Sequence, residues 1–325
     1  MLRRLMTLPL LPLVLSVLST SASAVAPQRA FVASNGIDSN PCSLASPCRG
    51  FQAAINAVAP GGEVVALDTA GYGTMEIHKS VTVIVPSGVH AGLSPTTGIP
   101  LPGYPGQTGV VLIDIQNTDV VILRGLNINQ QGAVTGGIQW ISAQGGTVYV
   151  ENVVVNGFPK EGLYVQAPAA TLIVKDSIFR NNGTGIYGAI AGGGRGFNQL
   201  GGIFADHTRI EKSTTGIKLQ SDVGMVISNS EITSNDLGFS IQVTAGFSSQ
   251  VRVDRCSVTR NGSIFDLFGA GGGPMGTPYA AWEAAATIIN YNGPATKSGF
   301  TQVNSFGNNS VDFGPGFFSN QSPPQ

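Results

Sequence analysis

Hydrophobic and polar residues alternate along much of the chain in a pattern that repeats. From about residue 120, an apolar segment returns every 22 to 31 residues, followed by a polar residue, a small residue, any residue and an apolar residue. Alternation with a period of two is typical of a β-strand that turns one face inward. The six copies are residues 120–128, 148–155, 172–179, 203–210, 225–232 and 251–258.

A second alternating motif lies between these copies and opens with a glycine and an apolar residue. Its instances begin at Gly137, Gly162, Gly185, Gly216 and Gly238. The segments between the two motifs are rich in Gly, Asn, Asp, Ser and Thr, which favour turns. Helical spacing is absent from this part of the chain, so the pattern predicts a short repeating unit of strands and turns.

A unit of this length cannot bury its own apolar face, so successive units must stack on one another. Stacking predicts an all-β fold, a parallel solenoid whose coils lie about 4.8 Å apart and whose equivalent residues form columns. The inward positions of the first motif agree with this prediction because every one of them is apolar. They are Val121, Leu123, Val148, Val150, Leu172, Val174, Ile203, Ala205, Met225, Ile227, Val251 and Val253.

Three further columns have structural interpretations. Small residues at one position include Ser230 and Cys256, which predicts that Cys256 is a buried and unreactive thiol. An outward column alternates in charge, so opposite charges are expected on adjacent coils; its members are Arg124, Glu151, Lys175 and Asp206. Asparagines recur at one turn position, as Asn182, Asn235 and Asn261, and are interpreted as structural.

The remaining segments predict the ends of the solenoid. Phe51, Ala54, Ile55 and Val58 share one helical face, so a short N-terminal helix is expected to cap the stack. The expected organisation is a signal peptide (1–24), an N-terminal segment with the capping helix (25–62), a parallel β-helix (63–262) and a C-terminal insertion with a capping tail (263–325). Residues 91–108, rich in Pro, Gly and Thr, are expected to leave the body as a loop.

The first 24 residues have the pattern of an export signal. Arg3 and Arg4 precede an apolar run, and Ala22-Ser23-Ala24 is a small-residue cleavage pattern. We therefore expect an exported protein, periplasmic or extracellular, with an uncleaved anchor as the alternative. No other stretch is long enough to span a bilayer. In an oxidising compartment, Cys42 and Cys48 are predicted to form a small local disulfide.

Composition excludes several classes of function. Hydrophobic residues make up 42% and charged residues only 11% of the chain, which is too apolar for disorder. The 17 basic residues almost balance the 18 acidic ones, so there is no basic surface for a nucleic acid. His78 and His90 lie far apart without the spacing of metal ligands, and no metal or other cofactor is expected.

The N-terminal segment also resembles a known family. The residues that carry the resemblance are Phe31-Val32-Ala33-Ser34-Asn35-Gly36-Ile37-Asp38-Ser39-Asn40-Pro41-Cys42, Pro47-Cys48-Arg49-Gly50-Phe51-Gln52-Ala53-Ala54-Ile55 and Asn229-Ser230-Glu231-Ile232. They are similar to exported bacterial right-handed parallel β-helix repeat proteins of the pectate-lyase-like superfamily. The resemblance implies a right-handed coil, and it implies that a substrate groove runs along the sheet of Gly-Ile strands. Fold alone indicates little about activity.

The expected groove lacks a recognisable catalytic set. Its outward strand positions contain one lysine and no carboxylate, whereas glycosidic hydrolysis needs two carboxyl groups and a calcium-dependent lyase needs several acidic oxygens beside a base. Asn117-Thr118-Asp119 occurs in polygalacturonases, but here it precedes a strand and the other motifs of that family are missing. His207 beside Asp206 is interpreted as a turn residue. The catalytic residues are therefore unassigned.

The outward side chains instead form a candidate binding strip. Tyrosine rings stack on the apolar faces of sugars and amides pair with hydroxyl groups. We therefore expect a non-catalytic, exported β-helix that binds polysaccharide or a cell-surface component along one sheet; ordinary solvated strand positions are the structural alternative. The strip residues are Gln139, Tyr164, Tyr187, Lys218 and Gln220.

Two other functions remain open. A lyase or hydrolase acting on a uronic-acid polymer could take its acids from loops, at Glu161, Asp206 and Asp222, helped by Lys218 or Arg195. A self-associating structural role would use an outward column more apolar than an exposed face should be, which the C-terminal tail or a partner is expected to cover. That column is Ile122, Tyr149, Ile173, Phe204 and Val226.

Overall fold

The structure is a computed structural model. It describes residues 26–189, 202–220, 222–243, 248–269, 279–285, 287–290, 296–299, 301–306, 309–311 and 320–322. The predicted signal peptide (1–24) and Arg195 lie outside the described residues.

The described strands form three sheets, named here sheets 1 to 3. Sheet 1 contains, in spatial order, β1 (Arg29–Val32), β2 (Glu63–Ala66), β5 (Val81–Ile84), β9 (Val120–Arg124), β12 (Gly146–Glu151), β15 (Ala170–Lys175), β18 (Gly202–Asp206), β21 (Gly224–Ser228), β24 (Ser248–Asp254), β27 (Tyr279–Ala285), β30 (Thr301–Phe306) and β32 (Asn320–Ser322). Sheet 2 contains β3 (Ala70–Gly71), β6 (Ala91–Leu93), β10 (Leu126–Asn129), β13 (Val154–Asn156), β16 (Ile178–Arg180), β19 (Arg209–Glu211), β22 (Glu231–Thr233), β25 (Ser257–Thr259), β28 (Ile288–Asn290) and β31 (Ser310–Val311). Sheet 3 contains β4 (Met75–Ile77), β8 (Thr108–Ile113), β11 (Gly136–Ile141), β14 (Glu161–Gln166), β17 (Thr184–Gly188), β20 (Thr215–Gln220), β23 (Leu237–Val243), β26 (Ser263–Gly269) and β29 (Thr296–Gly299), with β7 (Ile99–Pro100) paired to β8.

Successive coils stack in the predicted register. Val121 pairs with Val148, and Val148 pairs with Leu172, in parallel strands of sheet 1. The inward residues of all six copies of the first motif are buried between the three sheets. The predicted parallel β-helix is therefore confirmed, and its core is one continuous cluster of apolar side chains from all three sheets that runs through the described coils.

Polar residues bend the chain at two corners of each coil. A residue with positive φ follows many strands of sheets 1 and 2, and the left-handed conformation ends the strand and turns the chain. After sheet 1 these residues are Asn152, Asp176, His207, Asn229 and Arg255. After sheet 2 they are Gly157, Asn181, Lys212, Ser234 and Arg260. The interpretation of His207 as a turn residue agrees with this geometry.

Small polar side chains link the coils from inside these corners. The Ser177 hydroxyl accepts a hydrogen bond from the backbone N–H of Val153 at 3.1 Å, and the Ser230 hydroxyl accepts one from Thr208 at 3.0 Å. Cys256 follows in the same column and is a buried free thiol, as predicted. Burial raises the pKa of this thiol to about 11.

The predicted asparagine column is buried and fully engaged. The Asn235 side-chain oxygen accepts from the backbone N–H of Ser213 at 3.0 Å, while its amide nitrogen donates to the carbonyl of Ile210 at 3.2 Å. Asn261 repeats this arrangement one coil later, and Asn182 does so two coils earlier. These amides supply hydrogen-bond partners to backbone groups that the turns leave without a backbone partner, so their role is structural.

The glycine of the Gly-Ile motif is required where adjacent coils approach closely. A Cβ atom on Gly216 would lie 2.7 Å from the carbonyl oxygen of Gly238, and one on Gly185 would lie 2.6 Å from that of Gly216. Real Cβ atoms do not approach backbone oxygens this closely. A side chain at this position would therefore separate the coils.

A helix closes the N-terminal end, as predicted. Helix α1 (Phe51–Ala57) buries Phe51, Ala54 and Ile55 against the first strands. Cys42 and Cys48 form the predicted disulfide beside it. No helix among the described residues is long and apolar enough to cross a membrane.

The structure differs from the predicted boundaries at both ends. β1 precedes residue 63 and already belongs to sheet 1, while β27 and the later strands continue all three sheets beyond residue 262. The described strands of the expected capping tail thus form additional coils of the β-helix. The sequence did not indicate these strands because Tyr279–Ala285 is rich in alanine and Thr296–Gly299 is polar.

Candidate functional site

Sheet 3 carries the residues of the predicted binding strip on adjacent coils. Parallel pairing places Gln139 beside Tyr164, Tyr164 beside Tyr187, and Tyr187 beside Lys218. Gln220 lies two residues beyond Lys218 in the same strand and pairs with Gln242. The register thus places Tyr164, Tyr187 and Lys218 in one column on three adjacent coils, with the amides of Gln220 and Gln242 in the neighbouring column.

Gln139 does not contribute to an exposed strip, which corrects that part of the prediction. Its side chain is only 1% exposed, and neither the nitrogen nor the oxygen of its amide has a hydrogen-bond partner. The side chain lies over two glycines: a Cβ atom on Gly136 would lie 2.2 Å from its amide nitrogen, and one on Gly109 would lie 2.8 Å from its Cγ. The glycines therefore leave the space that Gln139 fills.

The segment from 91 to 108 covers this end of sheet 3, although the sequence predicted a loop that leaves the body. β7 pairs antiparallel with β8 through Ile99 and Gly109. From this segment, the ring of Tyr104 meets that of Tyr164 edge-on with centroids 6.2 Å apart, and their hydroxyl oxygens are 3.4 Å apart. Tyr164 is consequently only 8% exposed.

The accessible residues of the strip are Tyr187, Lys218 and Gln220, and Gln166 lies beside them; all four are partly exposed. The rings of Tyr164 and Tyr187 lie 5.0 Å apart, and the Lys218 ammonium lies 4.7 Å from the centre of the Tyr187 ring. The Tyr187 hydroxyl donates to the side-chain oxygen of Gln220. Tyr164 donates to Gln166 at 3.0 Å. Aromatic packing and a cation–π contact thus hold the polar groups of the strip in place.

Glu161 adds a carboxyl group to the strip that the sequence analysis placed in a loop. It is the first residue of β14, the strand that also contains Tyr164. Burial raises the pKa of Glu161, although Lys160 and Lys218 act in the opposite direction. Burial, with the nearby Glu161 charge, also raises the pKa of Tyr187. Glu161, Tyr187 and Lys218 therefore form one electrostatically coupled group.

The other predicted acids are not brought to this group. Asp206 ends β18 in sheet 1, where its side chain accepts hydrogen bonds from Asn229 at 2.7 Å and Ser228 at 2.8 Å, beside His207. Burial opposes its ionisation, but these hydrogen bonds prevail and lower the pKa of Asp206 to about 2. Asp222 lies at the corner after β20 and takes a left-handed conformation. Asp119 of the Asn117-Thr118-Asp119 tripeptide accepts hydrogen bonds from Ser80 and Gln116, so this tripeptide is a structural turn.

Sequence reasoning missed two more carboxylates in the column of Lys218. Glu76 pairs with Leu112 at one end, and Asp266 pairs with Ser240 at the other. Tyr104 was also missed, because an antiparallel contact from a loop leaves no periodic signal. Asp266 could have been found by extending the Gly-Ile register by one coil. Among the described residues, no three His, Cys, Asp or Glu side chains are grouped to hold a metal ion.

Comparisons with known proteins agree with this architecture. Among solved structures, pectate lyase Pel9A superposes with a TM-score of 0.61 at 18% identity, over 92% of this chain and 79% of that one. A rhamnogalacturonan lyase gives 0.52 at 10% identity, over 85% and 84%. A polygalacturonase from Erwinia carotovora ssp. carotovora gives 0.51 at 11% identity, over 94% and 100%.

These identities show a shared fold and leave the activity of this chain undetermined. A comparison with curated proteins finds no match. The family model described as "Right handed beta helix region" matches residues 111–312, which is more than half of the chain. The fold is accordingly that of polysaccharide lyases and hydrolases, and the chain belongs to the right-handed β-helix family.

Proposed function

We propose that this protein binds a polysaccharide or a cell-surface glycan along sheet 3 without cleaving it. The observation that carries the proposal is the partly exposed row of Tyr187, Lys218, Gln166 and Gln220 on adjacent coils. Amides and an ammonium group can pair with several hydroxyl or carboxylate groups of an extended polymer. The coil spacing of about 4.8 Å repeats these contacts along the direction of the solenoid.

The rings of the strip limit how a sugar can bind. Tyr164 and Lys218 lie against Tyr187 on neighbouring rungs, so little of the Tyr187 ring face is free for stacking. Contact with the sugar therefore depends on the ring edge and the polar groups around it. Lys218 and the two glutamines are expected to provide most of the specificity, with a preference for an acidic glycan.

Export is part of the same proposal. The N-terminal pattern of two arginines, an apolar run and a small-residue site supports a signal peptide. The Cys42–Cys48 disulfide supports an oxidising compartment. A glycan of the cell envelope or its surroundings is the class of ligand that an exported protein meets.

A polysaccharide array, followed by calorimetry with a soluble fragment of the best-retained polymer, tests the proposal. Tyr187→Ala and Lys218→Ala should each weaken binding of the fragment by tenfold or more, because they remove the central rungs. Arg180→Ala is the matched control, an exposed cation on sheet 2. Absence of any retained glycan, or equal affinity of all variants, would contradict the proposal.

A second candidate is cleavage of a uronic-acid polymer, and the coupled group of Glu161, Tyr187 and Lys218 favours it. A carboxyl group with a raised pKa can act as a general acid near neutral pH. Hydrolysis, however, needs a second carboxyl group within about 5–10 Å. Asp266 lies four strands from Glu161 along sheet 3, about 19 Å at the strand spacing, and Glu76 lies three strands away in the other direction, about 14 Å. Asp266 and Glu76 are therefore too far from Glu161 to serve as the second acid.

Elimination chemistry does not need that second carboxyl group, so product analysis decides between binding and cleavage. The protein is incubated with pectic and other uronic-acid polymers, and new reducing ends and unsaturated products are measured. Products that disappear in Glu161→Gln and Lys218→Met would assign cleavage. Retention of polymer without products would support binding alone.

A further inference from the structure

The outer face of sheet 1 carries an apolar stripe along its central coils. Ile122, Tyr149, Ile173, Phe204 and Val226 pair in register on five adjacent strands. Phe204 is 45% exposed and the other four are partly exposed. The described C-terminal strands extend sheet 1 instead of crossing it, so the predicted cover by the tail is not found in them. Surface of this kind marks an interaction site.

Charged residues continue this column at both ends. Arg29 and Glu63 precede the stripe, separated from it by Thr82, and Arg252 and Glu283 follow it. The order is therefore positive, negative, apolar stripe, positive, negative. When the order of the coils is reversed, each positive residue of this column takes the position of a negative one, and each negative residue takes that of a positive one.

The adjacent outward column has the same property. It runs through Arg124, Glu151, Lys175 and Asp206, which also alternate in sign. Arg124 bonds Glu151 within the chain at 2.7 Å, while Lys175 is exposed. Reversal of this column places each of these four charges opposite one of the other sign, while Asp254, two coils beyond Asp206, lies opposite Val65.

We propose that sheet 1 is the interface of a homodimer whose two-fold axis is parallel to the strands and passes between the rungs of Glu151 and Lys175. Such an axis turns the second sheet to face the first and reverses the order of its coils, while each column faces its own copy. Tyr149 then faces Ile173 of the second copy, and Ile122 faces Phe204. Glu151 faces Lys175, Arg124 faces Asp206, Glu63 faces Arg252 and Arg29 faces Glu283.

Complementary charge is what selects a second copy over another partner. Under one axis, the two columns match in sign at every pair in which both residues are charged, and these pairs extend from β1 to β27. The patch is roughly 43 Å long, from ten rungs at about 4.8 Å, but only two columns wide. It is thus smaller than a standard interface of about 800 Å² per partner, so we expect a dimer that dissociates on dilution.

Sedimentation equilibrium of the purified chain over a range of concentrations tests this proposal. The wild type should show a monomer–dimer equilibrium. Phe204→Glu should weaken association at least tenfold, because it places a charge in the centre of the apolar stripe. Phe268→Glu is the matched control, since Phe268 is also 45% exposed but lies on sheet 3. Circular dichroism establishes that both variants are folded.

A charge exchange tests the position of the axis. Lys175→Glu and Glu151→Lys should each weaken the dimer, because each places like charges opposite one another. The double variant restores opposite charges across the axis and should recover association. A wild type that remains monomeric at the highest concentration, or a double variant as weak as the single ones, would overturn the proposal.

Discussion

Burial beside the strip changes the pKa of single residues, and Glu161 is the clearest case. Glu161 begins the strand that carries Tyr164, whose ring is covered by Tyr104. Burial raises the pKa of Glu161 because an ionised carboxylate is less well hydrated there than in water. A fully exposed glutamate on the same rung would not couple to Lys218 and Tyr187.

Glu161→Gln should therefore stabilise the fold at neutral pH. A carboxyl group whose pKa is higher in the folded state binds protons more tightly there, so its contribution to stability is lost as pH rises through the folded pKa. Glutamine removes this loss, and the free energy of unfolding should rise at pH 7 but not at pH 3. Urea denaturation at both pH values measures the difference. Glu231→Gln, at an exposed site, is the control, and an equal gain in both variants would contradict the assignment.

At the scale of elements, side chains inside the corners hold the coils in register. Each buried asparagine of the column bonds the backbone of its neighbours, so removal of one side chain leaves two backbone groups without partners. An unsatisfied buried polar group costs about 1–3 kcal/mol. The corners therefore depend on side chains as well as on the β-ladder.

Asn235→Ala should lower the free energy of unfolding by about 2–4 kcal/mol, since Ser213 N–H and the Ile210 carbonyl lose their partner. Denaturant unfolding followed by circular dichroism measures this loss. Asn127→Ala, at a partly exposed site on sheet 2, should change stability by less than about 0.5 kcal/mol. Equal effects of the two substitutions would show that the asparagine column does not hold the corners.

The strands also show which parts of this structure the sequence could predict. Val121, Val148 and Leu172 could be aligned because inward and outward positions alternate strictly, and alternation fixes register. The same rule placed Tyr164, Tyr187 and Lys218 on one face. It could not indicate the burial of Gln139, because that depends on the antiparallel contact of β7 with β8, which joins segments without periodicity. Nor could it find β27, whose alanines do not alternate with polar residues.

Across the whole molecule, stability is expected to vary along the solenoid axis. Each coil contacts mainly the coils beside it, so the stack behaves as a nearly one-dimensional array. The N-terminal end is closed by α1 and the disulfide. Towards the other end, the inward position that follows Val253 is Ala284. This smaller side chain buries less apolar surface between its coil and the next.

Hydrogen exchange measured by mass spectrometry should report this gradient directly. Backbone amides of the central strands, from β12 to β23, should exchange most slowly, because coils with apolar interiors cover them on both sides. Amides of the strands from β27 to β32 should exchange faster, since their coils can open without disrupting the rest. Uniform protection along all coils would instead mean that the solenoid unfolds as one cooperative unit, and the nearest-neighbour description would be wrong.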